Sequence, residues 1–238
     1  MKKLMIASPC HHGKVDTQFT LSLLQTCYSL DHANIKVNVL LPGTGSILAK
    51  ERNDILEAFW RSDCTHLLCV DNDLGWDPNA PLKFLNYEKD FIAGVYPART
   101  NSKDSPKFIF RPDTDHTENI RVDSQGLLKM LAVPAGFMLL SRNAIKTMRD
   151  AYPNLYYEGL GFNKNFESGY ALFNTEIIDG DFWGEDYVFC KKAIDAGIDI
   201  WCDPTVEFNH AGTTGKLSEI LTNQRPINSD SFKYSTRE

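Results

Sequence analysis

Residues 66–76, HLLCVDNDLGW, place two acidic residues directly after a run of apolar ones. The apolar run is typical of a buried strand, and Asp71 and Asp73 follow it with only Asn72 between them. On an extended backbone, side chains two positions apart point to the same side. Two carboxylates held that close repel each other unless a cation neutralises them. A hard divalent ion suits such a pair, and it could also bridge to a diphosphate.

The spacing of the two acids is weak evidence when taken alone. The same Asp-x-Asp pattern recurs at 113–115 and at 179–181, but only the pair at 71–73 follows a buried strand. A capped turn after that strand is the alternative interpretation. An EF-hand loop is excluded, because the twelfth position counted from Asp71 is Leu82 rather than Glu.

Arg52 lies where a helical pattern calls for an apolar residue. If residues 47–62 form a helix, Arg52 falls near the middle of its apolar face at about 100° per residue. The other members of that face are Leu48, Ile55, Leu56 and Phe59. A guanidinium is rarely buried without a partner. Arg52 is therefore expected to pair with an internal carboxylate such as Asp71, to reach over the sheet end to an anionic ligand, or to do both.

Asp186 belongs to a second helical pattern, the segment 184–197, GEDYVFCKKAIDAG. It shares one helical face with three apolar residues, Phe189, Cys190 and Ala193. The carboxylate should therefore point inward from the first helical turn. The structural interpretation is a favourable charge at the helix N-terminus. The functional one is a carboxylate that faces a pocket, as a base or as a ligand for an acceptor.

His210 and Lys216 flank a Gly- and Thr-rich stretch, HAGTTGK. An imidazole added to carboxylate oxygens would favour Mn²⁺ over Mg²⁺, although a structural histidine is the alternative. Lys216 could bring an ammonium group to a diphosphate if the loop closes over it. A phosphate-binding P-loop is excluded, because His210 stands where its first glycine belongs and Leu217 replaces the Ser or Thr.

The period of the apolar residues predicts the elements that must position these side chains. Strands are expected at 4–8, 35–41, 66–70, 90–97, 135–141 and 198–204, with a hairpin around 123–126. Helices are expected at 15–30, 46–62, 81–87, from 142 to about 150, and at 184–197. The first helix should bury Phe19, Leu23, Leu24 and Cys27, and Ser46 can cap the second. Residues 152–183 are expected to form long shaped loops. Alternating strands and helices predict an α/β sheet, whose ligands bind at the carboxyl ends of the strands.

Composition sets limits on the class of protein. The 238 residues are 42% hydrophobic and 24% charged, which is ordinary for a globular chain long enough to bury a large core. A net charge of −6 gives no global support for a nucleic-acid or membrane partner. No segment approaches the roughly 18 apolar residues of a membrane span. The six cysteines form no C-x-x-C pair, so we expect them reduced and buried in a cytoplasmic protein.

Taken in order, these segments resemble the GT-A glycosyltransferases, which use a nucleotide-sugar donor and a divalent metal. The likeness extends over nearly the whole chain, through MIASP, RNDILEAFWRSDCTHLLCVDNDLGWDP, FIAGVYP, VPAGFMLLSR, GEDYVFCKKAIDAGIDIWCDP and NHAG. It is nearest to stand-alone, family-two-like enzymes of phages, viruses or bacteria. The resemblance implies an α/β GT-A domain over 1–225, with a mixed central sheet flanked by helices. A Rossmann-like nucleotide-binding half at 1–98 would be fused to an acceptor-binding half at 99–225, followed by a loose tail at 226–238.

The resemblance also implies roles for the residues around the donor. The Asp71-Asn72-Asp73 segment looks like the D-x-D motif: Asp73 would bind the metal, and Asp71 would contact the ribose or the metal. Ser8 and Pro9 would lie near the base and ribose. Arg52 would contact the nucleotide or its phosphates, and Gly136 would let acceptor and donor sugar approach the backbone.

Glu185 and Asp186 look like the family's E-D motif and are the candidate catalytic pair. His210 looks like the late metal-binding histidine, which completes a metal set of Asp71, Asp73 and His210 for Mn²⁺ or Mg²⁺. In an inverting enzyme Asp186 would deprotonate the acceptor hydroxyl. The His-to-Lys spacing resembles a retaining branch, but its glycine falls at 212, one position early, so the role of Lys216 and the stereochemistry stay open.

The acceptor is expected to be a glycan or a hydroxymethylated DNA base. The aromatic stretch 152–183 could stack on sugars, and the segment 99–111 carries four cations against one acid. A phage or viral enzyme would act in the host cytoplasm. Two other classes of protein compete: a sugar-phosphate nucleotidyltransferase and a non-catalytic module that binds nucleotides or glycans. The first usually has a Gly-rich basic loop after its first strand, which SPCHHGK fits poorly.

Overall fold

The first half of the chain alternates between strands and helices, as the apolar periodicity predicted. The computed structural model describes residues 2–10, 13–43, 47–99, 106–158 and 168–223. The elements of the first half are β1 (Lys3–Ala7), α1 (Thr17–His32), β2 (Lys36–Leu40), α2 (Leu48–Arg61), β3 (His66–Val70), β4 (Leu74–Trp76), α3 (Ala80–Asn86) and β5 (Phe91–Ala93). The short strand β4, directly after the D-x-D segment, was not predicted.

The second half contains more short strands than the sequence suggested. Its elements are β6 (Arg111–Pro112), β7 (Leu128–Ala132), β8 (Phe137–Ser141), α4 (Arg142–Ala151), β9 (Tyr156–Glu158), β10 (Ser168–Tyr170), β11 (Glu176–Ile178), β12 (Asp181–Trp183), α5 (Glu185–Asp195), β13 (Ile200–Cys202), β14 (Glu207–His210), β15 (Thr213–Lys216) and α6 (Leu217–Asn223). The expectation of loops over 152–183 was wrong for the described part of that range, since β9 pairs with β10 and β11 with β12. Residues 159–167 lie outside the described residues. Strands of three residues are too short to show a period.

The central sheet is mixed, and the predicted α/β class with flanking helices is confirmed. Its strand order is β2-β1-β3-β8-β5-β13-β7-β6. The pairs of β1 with β2 and β3 are parallel, whereas β8 lies antiparallel between β3 and β5. The carboxyl ends of β1, β3 and β5 therefore meet at one edge, where Ser8, Asp71 and Tyr96 follow them.

Both faces of β1 and β3 are buried, which explains their continuous apolar runs. Alternate residues enter two separate cores, because successive side chains of a strand point to opposite faces. One core includes Met5, Ala7, Leu67 and Cys69 together with Ile55, Leu56 and Phe59 of α2. The other includes Leu4, Ile6, Leu68 and Val70 together with Phe19 and Leu30 of α1. Arg52 lies on the α2 face that covers the first core.

The buried face of α1 differs from the predicted one. Leu24 is 63% exposed, and the helix buries polar Ser22 and Thr26 beside its apolar contacts. The Ser22 hydroxyl accepts from the Trp76 backbone N–H at 3.0 Å, and Thr26 Oγ1 accepts from the Trp76 indole N–H at 2.9 Å. These bonds satisfy buried polar groups of β4, a requirement that a hydrophobic pattern does not reveal.

A second, three-stranded sheet carries the late histidine to the D-x-D segment. Its order is β15-β14-β4, and β14 pairs antiparallel with β4 so that His210 stands opposite Leu74. Because β4 begins immediately after Asp73, this register fixes His210 beside that acid. The hairpin of β14 and β15 turns at Ala211 and Gly212, both of which have positive φ.

The structure also tests the predictions made for the hairpin at 123–126, the end of α5, membrane-spanning segments and the cysteines. The hairpin around Asp123–Gly126 is confirmed by the Gly126 N–H donating to the Asp123 carbonyl. Gly197 ends α5 with φ +85°, as its position predicted. Within the described ranges no helix is long and apolar enough to cross a membrane. All six cysteines are unpaired, and each is buried except Cys27, which is half-buried. The Ser46 cap and the tail at 226–238 lie outside the described residues.

Candidate active site

The two acids of the D-x-D segment turn toward different partners. The chain bends after β3, where the Leu74 N–H donates to the Asp71 carbonyl at 3.2 Å. The extended backbone that would point both side chains to one side is therefore absent from this segment. Asp71 meets Arg52 and Tyr96, whereas Asp73 meets Arg99 and His210. The Asn72 amide donates to the Lys14 carbonyl at 2.9 Å, on the α1 side of the edge.

Arg52 is buried and holds Asp71 in place. The side chain is 4% exposed, and its Nη2 donates to Asp71 Oδ1 at 2.8 Å while Nη1 donates to the Ala135 carbonyl at 2.9 Å. Its Nε lies 3.6 Å from Glu185 Oε1 and makes no hydrogen bond among the described residues. Burial alone would lower the pKa of Arg52, but the charges of Asp71 and Glu185 raise it above its ordinary value. The predicted pairing of Arg52 with an internal carboxylate is therefore what the structure shows.

Tyr96, which the sequence did not single out, is the second partner of Asp71. Its hydroxyl donates to Asp71 Oδ2 at 3.1 Å. Burial and the Asp71 charge raise the pKa of Tyr96 well above its ordinary value, so the phenol stays protonated and remains a donor. The sequence feature that could have identified Tyr96 is its position shortly after the apolar strand β5, at the end of the segment FIAGVYP.

Gly136 lies beside the Asp71 carboxylate and the Tyr96 hydroxyl. The Asp71 N–H donates to the Gly136 carbonyl at 2.9 Å. A Cβ at position 136 would overlap both the Tyr96 hydroxyl and Asp71 Oδ2, far inside van der Waals contact. The absence of a side chain is thus what allows the hydrogen bond between Tyr96 and Asp71.

Gly136→Ala is expected to destabilise the fold by about 1–3 kcal/mol, since overpacking of this kind forces backbone shifts. Urea denaturation measures the change. The control is Gly215→Ala, where a Cβ would meet only ordinary contacts from 3.4 Å. Equal stability of the two variants would show that the close approach at Gly136 is relieved without cost.

Asp73 and His210 face each other at the same edge. Asp73 Oδ2 lies 3.3 Å from His210 Nε2, and Arg99 also pairs with Asp73 Oδ2. Burial would raise the pKa of Asp73, but the hydrogen bond with His210 and the Arg99 charge hold it below its ordinary value. His210 Nδ1 lies 2.7 Å from the Pro97 carbonyl, which can only accept, so Nδ1 carries a proton and fixes the ring.

The other ring nitrogen of His210 has two competing partners. Nε2 lies 3.1 Å from Arg99 Nε and 3.3 Å from Asp73 Oδ2. Burial lowers the pKa of His210, whereas the bonds with Asp73 and Pro97 raise it above its ordinary value. The imidazolium donates to Asp73, and the neutral ring accepts from Arg99. Only the neutral ring can bind a metal, so any metal affinity should rise with pH.

Asp73 and His210 fit a divalent cation as two of its ligands. A carboxylate oxygen and an imidazole nitrogen converge, and the Pro97 carbonyl orients the ring in the manner of outer-shell partners of metal-binding histidines. In the described part of the chain, no group of three His, Cys, Asp or Glu side chains could hold a metal ion. A cation here needs further ligands from outside the protein, and Asp71 as a metal ligand stays a prediction.

Glu185 and Asp186 begin α5 on the other side of Arg52. Glu185 Oε1 approaches Arg52 Nε, while Asp186 Oδ1 accepts from the Tyr187 backbone N–H at 2.8 Å. Burial and the neighbouring charge of Glu185 raise the pKa of Asp186 above its ordinary value. Asp186 is thus the less neutralised carboxylate of the pair, which suits a proton acceptor.

Ser8 and Glu51 are buried polar side chains with unsatisfied atoms. Ser8 and Pro9 follow β1, and Glu51 belongs to the first turn of α2, where it is 4% exposed. Within the described chain, Ser8 Oγ and Glu51 Oε1 make no hydrogen bond. Burial, with a contribution from the Glu51 charge, raises the pKa of Cys10. Glu51 was missed by sequence reasoning because an acid in a first helical turn has an ordinary explanation.

Lys216 lies away from Asp73 and His210. It pairs with Glu207 Oε2 at 3.5 Å, and the hairpin places it opposite Glu207 while His210 stands opposite Thr213. Three residues of strand separate the two positions, or about 10 Å. The structure does not bring Lys216 to Asp73, and its role toward a diphosphate stays a prediction.

Comparison with known proteins gives structural likenesses alone. No family model and no curated protein sequence matches the chain. A197 from STIV is 16% identical with a TM-score of 0.48, over 88% of this chain and 85% of that one. S. aureus TarS 1–349 is 15% identical with a TM-score of 0.44, over 85% of this chain and 58% of that one. A putative glucose-1-phosphate thymidylyltransferase from Bacillus anthracis is 10% identical with a TM-score of 0.42, over 96% of each chain.

One edge of the sheet gathers two kinds of group. A fixed cation, Arg52, is surrounded by Asp71, Glu185 and the Tyr96 hydroxyl. Beside it, Asp73 and His210 offer oxygen and nitrogen ligands. This arrangement can neutralise a polyanion through a bound cation and, at Asp186, accept a proton.

Proposed function

We propose that this protein is a metal-dependent glycosyltransferase that moves a sugar from a nucleoside-diphosphate sugar to an acceptor hydroxyl. The observation that carries the proposal is the meeting of Asp73 and His210 at 3.3 Å, at the carboxyl end of β3. In open α/β sheets this edge is where ligands bind. The ordered resemblance to GT-A enzymes supplies the reaction class, and the geometry supports it.

The donor would lie along the carboxyl ends of β1 and β3. Ser8 and Pro9 would border the base and ribose, and the buried Ser8 Oγ makes no hydrogen bond to any residue that the structure describes. Asp71, held by Arg52 and Tyr96, would accept from a ribose hydroxyl, with Asn72 next to it. Gly136, which lies beside this acid, would let the donor sugar approach the backbone.

Asp73 and His210 would hold Mn²⁺ or Mg²⁺, and the imidazole ligand favours Mn²⁺. The ion would supply Lewis-acid stabilisation of the charge that develops on the leaving nucleoside diphosphate. The protein's own contribution is orientation: the Pro97 carbonyl fixes the His210 ring so that Nε2 faces Asp73. Arg52 adds a permanent positive charge in a site of low solvent exposure.

Asp186 would act as the general base of an inverting reaction. As the acceptor oxygen forms its bond to the sugar carbon, the bond from that carbon to the diphosphate breaks. The acceptor proton passes to the Asp186 carboxylate, and the electron pair of the broken bond leaves on the diphosphate. A carboxylate whose pKa is raised by burial and by Glu185 is a better proton acceptor near neutral pH than an ordinary aspartate.

The acceptor would approach from the hairpin of β11 and β12, which directly precedes Glu185. Its two outer apolar side chains, Ile177 and Phe182, stand opposite each other in the pairing and are exposed. A glycan suits such a surface, because sugars stack on aromatic rings. A hydroxymethylated DNA base is the second acceptor class. Part of the basic segment 99–111 that is expected to meet that base, residues 100–105, lies outside the described residues.

Thermal-shift screening against nucleoside diphosphates and nucleotide sugars, with and without Mn²⁺, tests the proposal. At least one nucleotide is expected to raise the melting temperature, because a ligand that binds only the folded state stabilises it by mass action. The shift should be larger with Mn²⁺. Absence of any shift across the panel would remove the proposed function.

Asp73→Asn is expected to abolish the Mn²⁺-dependent part of that shift, since it removes one of two protein ligands. Asp181→Asn is the matched control: it changes the last acid of another Asp-x-Asp pair, on an exposed hairpin. The control should retain the wild-type shift. If Asp73→Asn retains it too, Asp73 does not hold the metal.

A further inference from the structure

Arg99 lies between the two side chains that would hold the metal. Its Nη2 pairs with Asp73 Oδ2, and its Nε lies 3.1 Å from His210 Nε2. The same two acceptor atoms are 3.3 Å from each other. One guanidinium therefore engages both atoms that a divalent ion would need.

The burial of these groups is unequal. The Arg99 side chain is 66% exposed, whereas those of Asp73 and His210 are 15% and 10% exposed. The pair is part of the folded framework, because β4 and β14 fix it, but the arginine reaches it from the surface. An exposed arginine can leave such a contact at small cost, since partly solvated ion pairs contribute little to stability.

A metal and Arg99 cannot occupy the pair together. Inner-sphere bonds to the carboxylate oxygen and to Nε2 use the lone pairs that the guanidinium N–H groups now approach. Both groups are also cations, so their juxtaposition would be repulsive. A bound diphosphate, in contrast, offers oxygens that match the planar fork of an arginine.

We propose that Arg99 is the resident cation of the Asp73–His210 pair, which a divalent metal must displace before it binds. The arginine keeps the pair together and neutralised until the metal arrives, and it is then free to meet the diphosphate of the donor. This inference rests on the proposed function for the identity of the donor. The competition between Arg99 and the metal does not require a nucleotide.

Mn²⁺ titration followed by electron paramagnetic resonance, with the full chain and the metal alone, tests the competition. Arg99→Ala is expected to bind Mn²⁺ about fivefold or more tightly than wild type, the equivalent of losing one partly exposed charge pair. The control is Arg121→Ala, which removes another exposed arginine, one that pairs with Asp113 at 3.9 Å. It should bind Mn²⁺ as wild type does.

A double variant locates the effect. The gain from Arg99→Ala should disappear in a His210→Ala background, because the released metal site includes that imidazole. Circular dichroism melting identifies any variant that fails to fold. The proposal is overturned if Arg99→Ala binds Mn²⁺ no more tightly than wild type, or if the gain survives without His210. Either result leaves the nucleotide shift, and with it the proposed function, to be decided separately.

Discussion

Arg52→Met should lower the free energy of unfolding by about 3–5 kcal/mol, as is typical when one partner of a buried ion pair is removed. The guanidinium is 4% exposed and lies against Asp71 and Glu185, so its loss leaves two partly buried carboxylates without their cation. Asp186, whose pKa is already raised by burial and by Glu185, would add to the repulsion. Urea denaturation gives the change from the midpoint and slope of the transition.

Arg61→Met is the matched control, since it lies on the same helix and pairs with Glu57 but is 47% exposed. It is expected to cost about 1 kcal/mol or less. Arg52→Lys should fall between the two, because lysine keeps the charge but cannot donate to Asp71 and to the Ala135 carbonyl through a planar fork. If the stability of Arg52→Met stays within about 1 kcal/mol of wild type, the carboxylates of Asp71 and Glu185 do not depend on Arg52 for neutralisation.

Asp186→Asn should lower turnover by about 10²–10⁴-fold, the usual contribution of a general base. The same change should also make the folded state more stable than that of wild type, by a margin that grows as the pH rises. The pKa of Asp186 is raised in the folded protein, so its ionised form is disfavoured there relative to the unfolded chain. Wild type therefore loses stability as the pH rises through that pKa, whereas the asparagine variant avoids this loss.

Melting curves of both proteins across the acidic to neutral range, with turnover at neutral pH, test this pair of effects. At low pH Asp186 is protonated in the folded and the unfolded state of the wild type, so the two melting temperatures should agree. At higher pH the variant should have the higher melting temperature. Turnover within about tenfold of wild type would exclude Asp186 as the base and favour a retaining reaction. Equal stability at every pH would show that the carboxylate is not disfavoured by folding.

The elements that position the site were predictable where the local pattern was long. The buried runs of β1 and β3, the helix α2 with Arg52 on its inner face, and the α5 segment with Asp186 all follow from periodicity. The acids at the tip of β3 were predictable for the same reason. The buried face of α1 was not, because Ser22 and Thr26 are buried by hydrogen bonds to Trp76 rather than by hydrophobicity.

The partners across the site could not be read from local pattern, since they are distant in sequence. Arg99 and His210 are 111 positions apart, and Tyr96 and Asp71 are 25 apart. Their meeting depends on the antiparallel register of β14 against β4 and on the neighbouring positions of β3, β8 and β5 in the sheet. The register and the strand order both arise from tertiary packing of short strands, whose sequences show little periodicity.

The most direct test of the central claim is the anomalous scattering of manganese in crystals grown with Mn²⁺ and the nucleoside diphosphate that gives the largest thermal shift. We expect one strong peak about 2.0–2.6 Å from an oxygen of Asp73 and from Nε2 of His210, with the diphosphate as a further ligand. A nucleotide bound at this edge without manganese on that pair, or manganese bound to other side chains, would contradict the account.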